Sequence, residues 1–207
     1  MAGDLSGARR DLEEGLRLCR DLGDQRGQAD ALNWLGNVRG LAGDFPGAER
    51  DLKEALQLCR DLGDQRGQAG ALAELGLVRR MTGDLPEAAR NLQEALELYR
   101  QVGARGNEAW ALNRYAAVHA AAGEHVVARD LYHDALRLAR ETQQPDDEAH
   151  ALEGIGESHL HADETGETGD SDAGLQHLSR ALAIFRRLAM TPDAERVQSR
   201  LSQFSRH

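Results

Sequence analysis

The side chains best suited to metal chemistry are eight histidines, all of which lie beyond residue 118. Helical spacing would place four possible ligands on one face: His150, Glu153, Glu157 and His161. Imidazole and carboxylate groups bind zinc, but His150 and His161 would lie about three helical turns apart, which is about 16 Å along the axis. One ion cannot bridge that distance, and the His-Glu-x-x-His pattern of helical zinc sites does not occur. We therefore expect no metal site.

The sequence also lacks the residue patterns that position a nucleophile or a phosphate. There is no nucleophile elbow, no glycine-rich phosphate loop and no paired-cysteine motif, and serine and threonine are few and scattered. We therefore expect a protein that is not an enzyme and that needs no cofactor.

Composition and charge favour a cytoplasmic protein that contacts neither nucleic acid nor membrane. The net charge of −10 opposes binding to nucleic acid phosphates and to anionic lipid. The apolar runs are too short to span a bilayer, and the first residues lack the basic and apolar stretches of a secretory signal. Cys19 and Cys59 lie 40 residues apart, and Tyr99 continues the series, so we interpret them as packing positions in a reduced protein.

The elements that carry these residues follow an internal repeat. The dipeptide Gly43-Asp44 recurs at a spacing of 40 residues, and residues 18–29 are identical to residues 58–69. Beyond Ala162 the register slips by six residues before it resumes. A fixed period of this length is typical of stacked helical repeats.

Each repeat contains two segments with the apolar periodicity of a helix. In the first complete repeat the apolar positions of the two segments are Leu32, Leu35 and Gly36, then Ala48, Leu52, Ala55 and Leu56. Spacings of three and four residues place such positions on one face of a helix. The Gly-Asp pair between the segments is suited to end one helix and begin the next. The repeat unit is therefore predicted to be a pair of helices.

This pattern resembles the tetratricopeptide repeat, in which paired helices carry small residues at their closest approach. Gly36 and Ala48 occupy the small positions, and the register recurs four times. The period of 40 exceeds the family's usual period of about 34, Leu32 replaces the usual Trp, and Arg39 replaces the usual Tyr. The resemblance implies an all-α fold, a right-handed α-solenoid of antiparallel helix pairs with about ten helices.

The 40-residue form is similar to two groups of proteins. One group comprises the Pins/LGN-type scaffolds of cell polarity, and the other the tetratricopeptide regions of actinobacterial signalling and transcriptional regulators. Lys53 is the only lysine, and this arginine bias, together with the Leu-Gly-Asp turns, favours the regulators.

We interpret the chain as a single solenoid domain. It begins with an orphan second helix over residues 1–28 and ends with a capping helix over residues 195–207. Between them lie four repeats, at residues 29–68, 69–108, 109–148 and 149–194. A solenoid rarely begins half-way through a repeat, because its end face needs a cover, so we expect the chain to be part of a longer protein. Residues 163–172 are acidic and rich in glycine and are expected to form a flexible loop.

In the family, the first helix of each pair lines a concave groove that binds peptides. Carried over to this sequence, the lining would be Asn33, Trp34, Asn37, Glu74, Arg80, Trp110, Asn113, Arg114, His150, Glu153 and Glu157. Exposed tryptophan is a frequent hot spot, asparagine bonds a peptide backbone, and arginine binds carboxylates with forked geometry. The alternative is that these are solvated helix faces, with the tryptophans packed on neighbouring repeats.

The resemblance implies a recognition module whose partner is a protein or peptide segment, including another domain of the same larger bacterial regulator. The family's clamp for a peptide C-terminal carboxylate is not expected, because the groove has no lysine and Glu74 stands where asparagine is needed.

A structural module that self-associates is the second hypothesis. An N-terminal helix without a preceding partner would expose apolar residues such as Leu12 and Leu16. Such a face tends to bind another copy, which would give a homodimer through this helix.

Overall fold

The protein is all-helical over the residues that the computed structural model describes, 4–164 and 170–204. The helices of these residues are α1 Leu5–Leu22, α2 Gln25–Leu41, α3 Phe45–Asp61, α4 Gln65–Met81, α5 Leu85–Gln101, α6 Arg105–Ala121, α7 His125–Glu141, α8 Pro145–Glu164, α9 Ser171–Arg187 and α10 Thr191–Phe204. The predicted fold class, all-α with antiparallel helix pairs, is confirmed. No helix within the described residues combines the length and the apolar character needed to cross a membrane.

The first four turns, between α1 and α5, each combine a left-handed glycine with an aspartate that caps the next helix. Gly43 has a φ of 83°, which a residue with a side chain adopts only at a cost. Asp44 Oδ1 then accepts a hydrogen bond from Gly47 N at 3.0 Å, which satisfies a free donor in the first turn of α3. The same arrangement recurs in the turn that contains Gly63 and Asp64. The predicted role of the Gly-Asp pair is confirmed.

The helices of a pair approach most closely where a glycine of the first helix meets a leucine of the second. A Cβ atom at Gly36 would lie 2.4 Å from Leu52 Cγ, and one at Gly76 would lie 2.7 Å from Leu92 Cγ. Carbon atoms do not pack at such distances, so neither position accepts a side chain without movement of its neighbour. Leu52 and Leu92 are completely buried as a result.

The chain divides into two compact units, residues 1–104 and residues 105–207, called unit 1 and unit 2 below. In unit 1, consecutive helices from α1 to α5 pack on one another, and α2 also contacts α4. In unit 2, consecutive helices from α6 to α10 do the same, and α6 also contacts α8. Within each unit the first helices of two repeats therefore lie side by side.

The extra residues of the fourth repeat are helical at both ends. The expected loop, 163–172, starts within the last turn of α8 and finishes within the first turn of α9. Asp170 Oδ1 accepts from Ala173 N at 3.0 Å and so caps α9. The middle of the expected loop, 165–169, lies outside the described residues. The last helix, α10, begins at Thr191, slightly before the predicted start at residue 195.

The N-terminal helix exposes different leucines from those expected. Leu16 is only 7% exposed, because it occupies the repeat position of Leu56, which packs inside its helix pair. Leu12 is half-buried. Leu18 and Leu22 instead are 48% and 82% exposed and form the apolar surface of α1. The expectation for Leu16 was wrong because the face of α1 that turns towards α2 is already covered.

We expect Gly36→Ala to lower the free energy of unfolding by about 1–3 kcal/mol, because the added carbon must displace Leu52. Gly15 in α1 is the matched control, since nothing lies within 4 Å of a Cβ atom added there. Gly15→Ala should raise the free energy of unfolding by about 0.5–1 kcal/mol through the higher helix propensity of alanine. Denaturant titration followed by circular dichroism measures both, and stabilisation by both substitutions would contradict the close-approach account.

Candidate functional site

The predicted groove residues of unit 1 lie on α2 and α4. We call this region the α2–α4 surface and define it by Asn33, Trp34, Asn37, Glu74 and Arg80. Trp34 is 62% exposed, whereas the other four side chains are half-buried. Within unit 1, one large aromatic side chain therefore stands out of the core, and packing on a neighbouring repeat does not cover it.

Two further apolar side chains continue this surface. Leu41 lies seven residues after Trp34 on α2 and is 58% exposed. Residues seven positions apart share one face of a helix. Met81 has the equivalent position on α4 and is 43% exposed. Sequence reasoning passed over Leu41, because a single leucine at the end of a helix gives no periodic signal.

The polar groups of the α2–α4 surface are partly used within the protein. Asn37 Nδ2 donates a hydrogen bond to Glu74 Oε2 at 2.9 Å and so links the two helices. Asn33 Oδ1 is buried and accepts no hydrogen bond from the described residues. Such an unsatisfied carbonyl costs about 1–3 kcal/mol of stability.

In unit 2, Trp110 and Arg114 form a pair on α6. The guanidinium carbon of Arg114 lies 5.2 Å from the centroid of the Trp110 ring, which is a cation–π contact. Both side chains are half-buried. The two predicted groove residues therefore contact each other.

Asn113 is buried and contributes to the packing of unit 2. Its Nδ2 donates to the backbone oxygen of Asp147 at 3.0 Å, in the first turn of α8. Burial and the nearby charge of Asp146 raise the pKa of Asp147 to about 6, and the contact from Asn113 opposes this only in part. Sequence reasoning missed Asp147, because an acidic residue in the first turn of a helix usually serves the helix dipole at the surface.

The carboxylates predicted to line the groove on α8 bind α10 instead. Arg196 donates from Nε and Nη2 to the two oxygens of Glu153 at 2.7 and 2.8 Å. Arg200 Nε donates to Glu157 Oε2 at 3.0 Å. Burial acts to raise the pKa of Glu153, but hydrogen bonds from its neighbours, Arg196 among them, outweigh it and hold this pKa below the usual value. Both carboxylates therefore fasten α10 to α8.

The two histidines predicted to share a face of α8 have separate contacts. His150 packs against the Phe185 ring with a centroid distance of 5.1 Å, and His161 stacks on His125 at 5.0 Å. Throughout residues 4–161 and 170–204, no three histidine, cysteine or acidic side chains are grouped so that they could hold a metal ion.

The sequence of unit 1 matches a known family. Residues 27–101, which cover most of α2 and all of α3, α4 and α5, match the tetratricopeptide repeat. No curated protein matches the sequence.

Several solved structures share the fold at low sequence identity. BtubC (BKLC) from P. vanneervenii is similar with a TM-score of 0.62 and 20% identity, over 96% of this chain and 88% of that chain. The signal transduction ATPase with numerous domains (STAND) from Pyrococcus horikoshii, which has a tetratricopeptide repeat sensor, gives a TM-score of 0.70 and 16% identity over 86% of this chain and 27% of that chain. A Rap protein complexed with Competence and Sporulation Factor gives a TM-score of 0.69 and 13% identity, over 98% of this chain and 59% of that chain. Residues 27–101 are therefore tetratricopeptide repeats, and the chain has the fold of tetratricopeptide-type helix pairs.

Proposed function

We propose that the chain is a recognition module that binds an extended peptide or a protein segment, and that the α2–α4 surface is its binding site in unit 1. The observation that carries the proposal is the 62% exposure of Trp34. Tryptophan that becomes buried on binding often contributes about 2 kcal/mol or more to affinity. The surface lies within the tetratricopeptide repeats of residues 27–101, a repeat type that serves as a protein-interaction scaffold.

The chemistry of the surface favours a ligand with an apolar side chain. The apolar side chain would pack on Trp34 and Leu41, and Asn33 and Asn37 are the proposed polar contacts for the ligand backbone. Arg80 is the proposed contact for a carboxylate of a ligand on the α2–α4 surface. Arg114 is proposed separately as a carboxylate contact of unit 2. The net charge of −10 further favours a partner with basic segments.

We further propose that this module is the sensory or interaction part of a larger cytoplasmic regulator in a bacterium, with another domain of that regulator as a candidate partner. The support is the similarity to a STAND protein with a tetratricopeptide repeat sensor and to a Rap protein in complex with Competence and Sporulation Factor. The proposal includes no catalytic step.

Self-association through α1 is a second candidate function. Leu18 and Leu22 are 48% and 82% exposed. They give α1 an apolar face that the rest of unit 1 does not bury. Apolar patches of this kind mark association surfaces.

Peptides selected from a random phage-displayed library on the wild-type chain provide a probe for the first candidate. We expect Trp34→Ala to weaken the binding of the selected peptides about 30-fold, because loss of a hot-spot aromatic costs about 2 kcal/mol. Fluorescence anisotropy with labelled peptides measures the affinity.

Leu22→Ala is the matched control for this experiment, since Leu22 is even more exposed but lies on α1. It should change the affinity by about twofold at most. Equal binding by the wild type and Trp34→Ala, with both chains equally helical, would contradict the proposed site.

For the second candidate, we expect the mass measured by sedimentation velocity to rise with concentration for the wild type. The double variant Leu18→Glu, Leu22→Glu should stay monomeric, because charge on the apolar face opposes its burial. The exposed valines of unit 2 give a control, Val126→Glu with Val127→Glu, which should associate like the wild type. A wild-type chain that is monomeric at its highest soluble concentration would exclude self-association.

A further inference from the structure

An ion-pair triad holds three consecutive helices of unit 1 together. Arg39 on α2 lies between Glu13 on α1, with Nη2 3.0 Å from Oε1, and Asp51 on α3, with Nε 3.2 Å from Oδ2. The Arg39 side chain is 16% exposed and that of Asp51 is 5% exposed. A cation between two carboxylates thus joins α1, α2 and α3, and its charge is compensated where water is largely excluded.

Three repeats later, the same three positions are all histidine. His133 lies on α7, His159 on α8 and His177 on α9, once the six-residue insertion is counted. The ring centroids of His133 and His177 are 6.3 Å apart, as are those of His159 and His177. The fold therefore brings these positions together in unit 2 as it does in unit 1. The positions hold an arginine between two carboxylates in unit 1 and three imidazoles in unit 2.

The two intervening repeats keep an acidic partner beside the central base. In the second repeat Arg79 pairs with Glu49 and, at 3.0 Å, with Asp84. In the third repeat His119 contacts Glu124. The fourth repeat departs from this series, because the ring packed against His159 belongs to another histidine.

The surroundings of His159 and His177 suit neutral rings. Both side chains are half-buried, and the Nδ1 atom of each is buried without a hydrogen-bond partner among the described residues. A protonated imidazole carries N–H donors on both nitrogens, so protonation would place a buried donor where no acceptor is available.

Most of the charges around the two rings lower the pKa of the imidazoles, as burial does. Besides His133, four charged groups influence the pair. They lie on α7, on α9 and at the N-cap of α9, and they are Arg129, Arg140, Arg180 and Asp170. Burial is the largest cause that lowers the pKa of His159 and of His177, and the positive charges add to it. Asp170 opposes the change at His159.

We propose that His133, His159 and His177 form a pH-dependent staple, which holds α7, α8 and α9 together while the imidazoles are neutral and releases them when the imidazoles are protonated. Protonation would place like charges at positions where unit 1 has attracting ones. A pKa that is lower in the folded chain than in the unfolded chain means that the unfolded chain binds more protons. The stabilisation is therefore present above the ordinary histidine pKa of about 6.5 and is lost as the pH falls through the folded value.

A metal site is the other chemistry that three histidines suggest, but the geometry does not favour it. Each imidazole bound to one zinc ion directs a nitrogen at the ion from about 2.1 Å. The rings of His159 and His177 instead lie parallel, with an angle of 4° between their planes. The three side chains are not among any group of described residues that could hold an ion.

Hydrogen exchange of the full chain, resolved by peptide and corrected for the intrinsic exchange rate, tests the staple. Measurements at about pH 7.5 and about pH 5.5 lie on either side of the ordinary histidine pKa. We expect peptides from α7, α8 and α9 to lose up to about tenfold in protection for each imidazole that stays neutral in the folded chain, since pH 5.5 lies about one unit below the ordinary histidine pKa. Peptides from α1, α2 and α3, which carry the ion-pair triad, are the internal control and should lose much less.

A variant that copies the triad of unit 1 into unit 2 sharpens the test. We expect His133→Glu, His159→Arg and His177→Asp together to remove the pH-dependent loss of protection in α7, α8 and α9. If this triple variant does not fold, as judged by circular dichroism, His177→Asn replaces it, because His177 contacts both other rings.

Three results would overturn the proposal. The first is an equal loss of protection in the two sets of peptides, and the second is a wild-type pH response in the folded variant. The third is a gain of protection in α7, α8 and α9 on addition of equimolar Zn²⁺ at neutral pH, which would make the three histidines a metal site. A histidine titration by NMR adds a direct check, since the pKa values of His159 and His177 must lie below the ordinary histidine value of about 6.5.

Discussion

The close approach of two helices, glycine against leucine, is the constraint on which the rest of this structure depends. At Gly36 and Gly76 no Cβ atom would fit beside the leucine of the facing helix, and a Cβ atom at Gly156 would likewise lie 2.8 Å from Leu178 Cγ. These contacts fix the distance within a helix pair. The interior of a pair is built mainly from alanine and leucine side chains. A residue such as Trp34 can remain exposed because the core is complete without it.

Most of the fold could be predicted from the sequence because its decisive features are properties of single residues at fixed intervals. Gly43 adopts a left-handed conformation and Asp44 caps the next helix, and both roles are evident from residue type and spacing. The register also predicted which positions share a helix face. It did not predict what covers that face. Leu16 was expected to be exposed, but it is buried in unit 1, where α1 packs against α2.

The candidate site was less predictable for the same reason. A tryptophan on a first helix could be assigned to a surface, and Trp34 is exposed. Glu153 and Glu157 had the same register, yet the arginines of α10 neutralise them. Asn113 likewise faces the start of α8. A repeat pattern describes an average neighbour, whereas the partner of a polar side chain depends on the particular residue at one neighbouring position, and this is where the repeats differ most.

The junction of three helices is a position where the repeats differ without a change of fold. In unit 1 it holds Arg39 between two carboxylates, and in unit 2 it holds His159 beside His177. The backbone at these positions is fixed by glycine and leucine contacts elsewhere in each pair, so the fold does not depend on either chemistry. What does depend on it is the response to protons, because arginine keeps its charge at every physiological pH and histidine does not. A repeat protein can therefore acquire sensitivity to its surroundings at one junction by substitution of three side chains, while the helix pairs around that junction keep their packing.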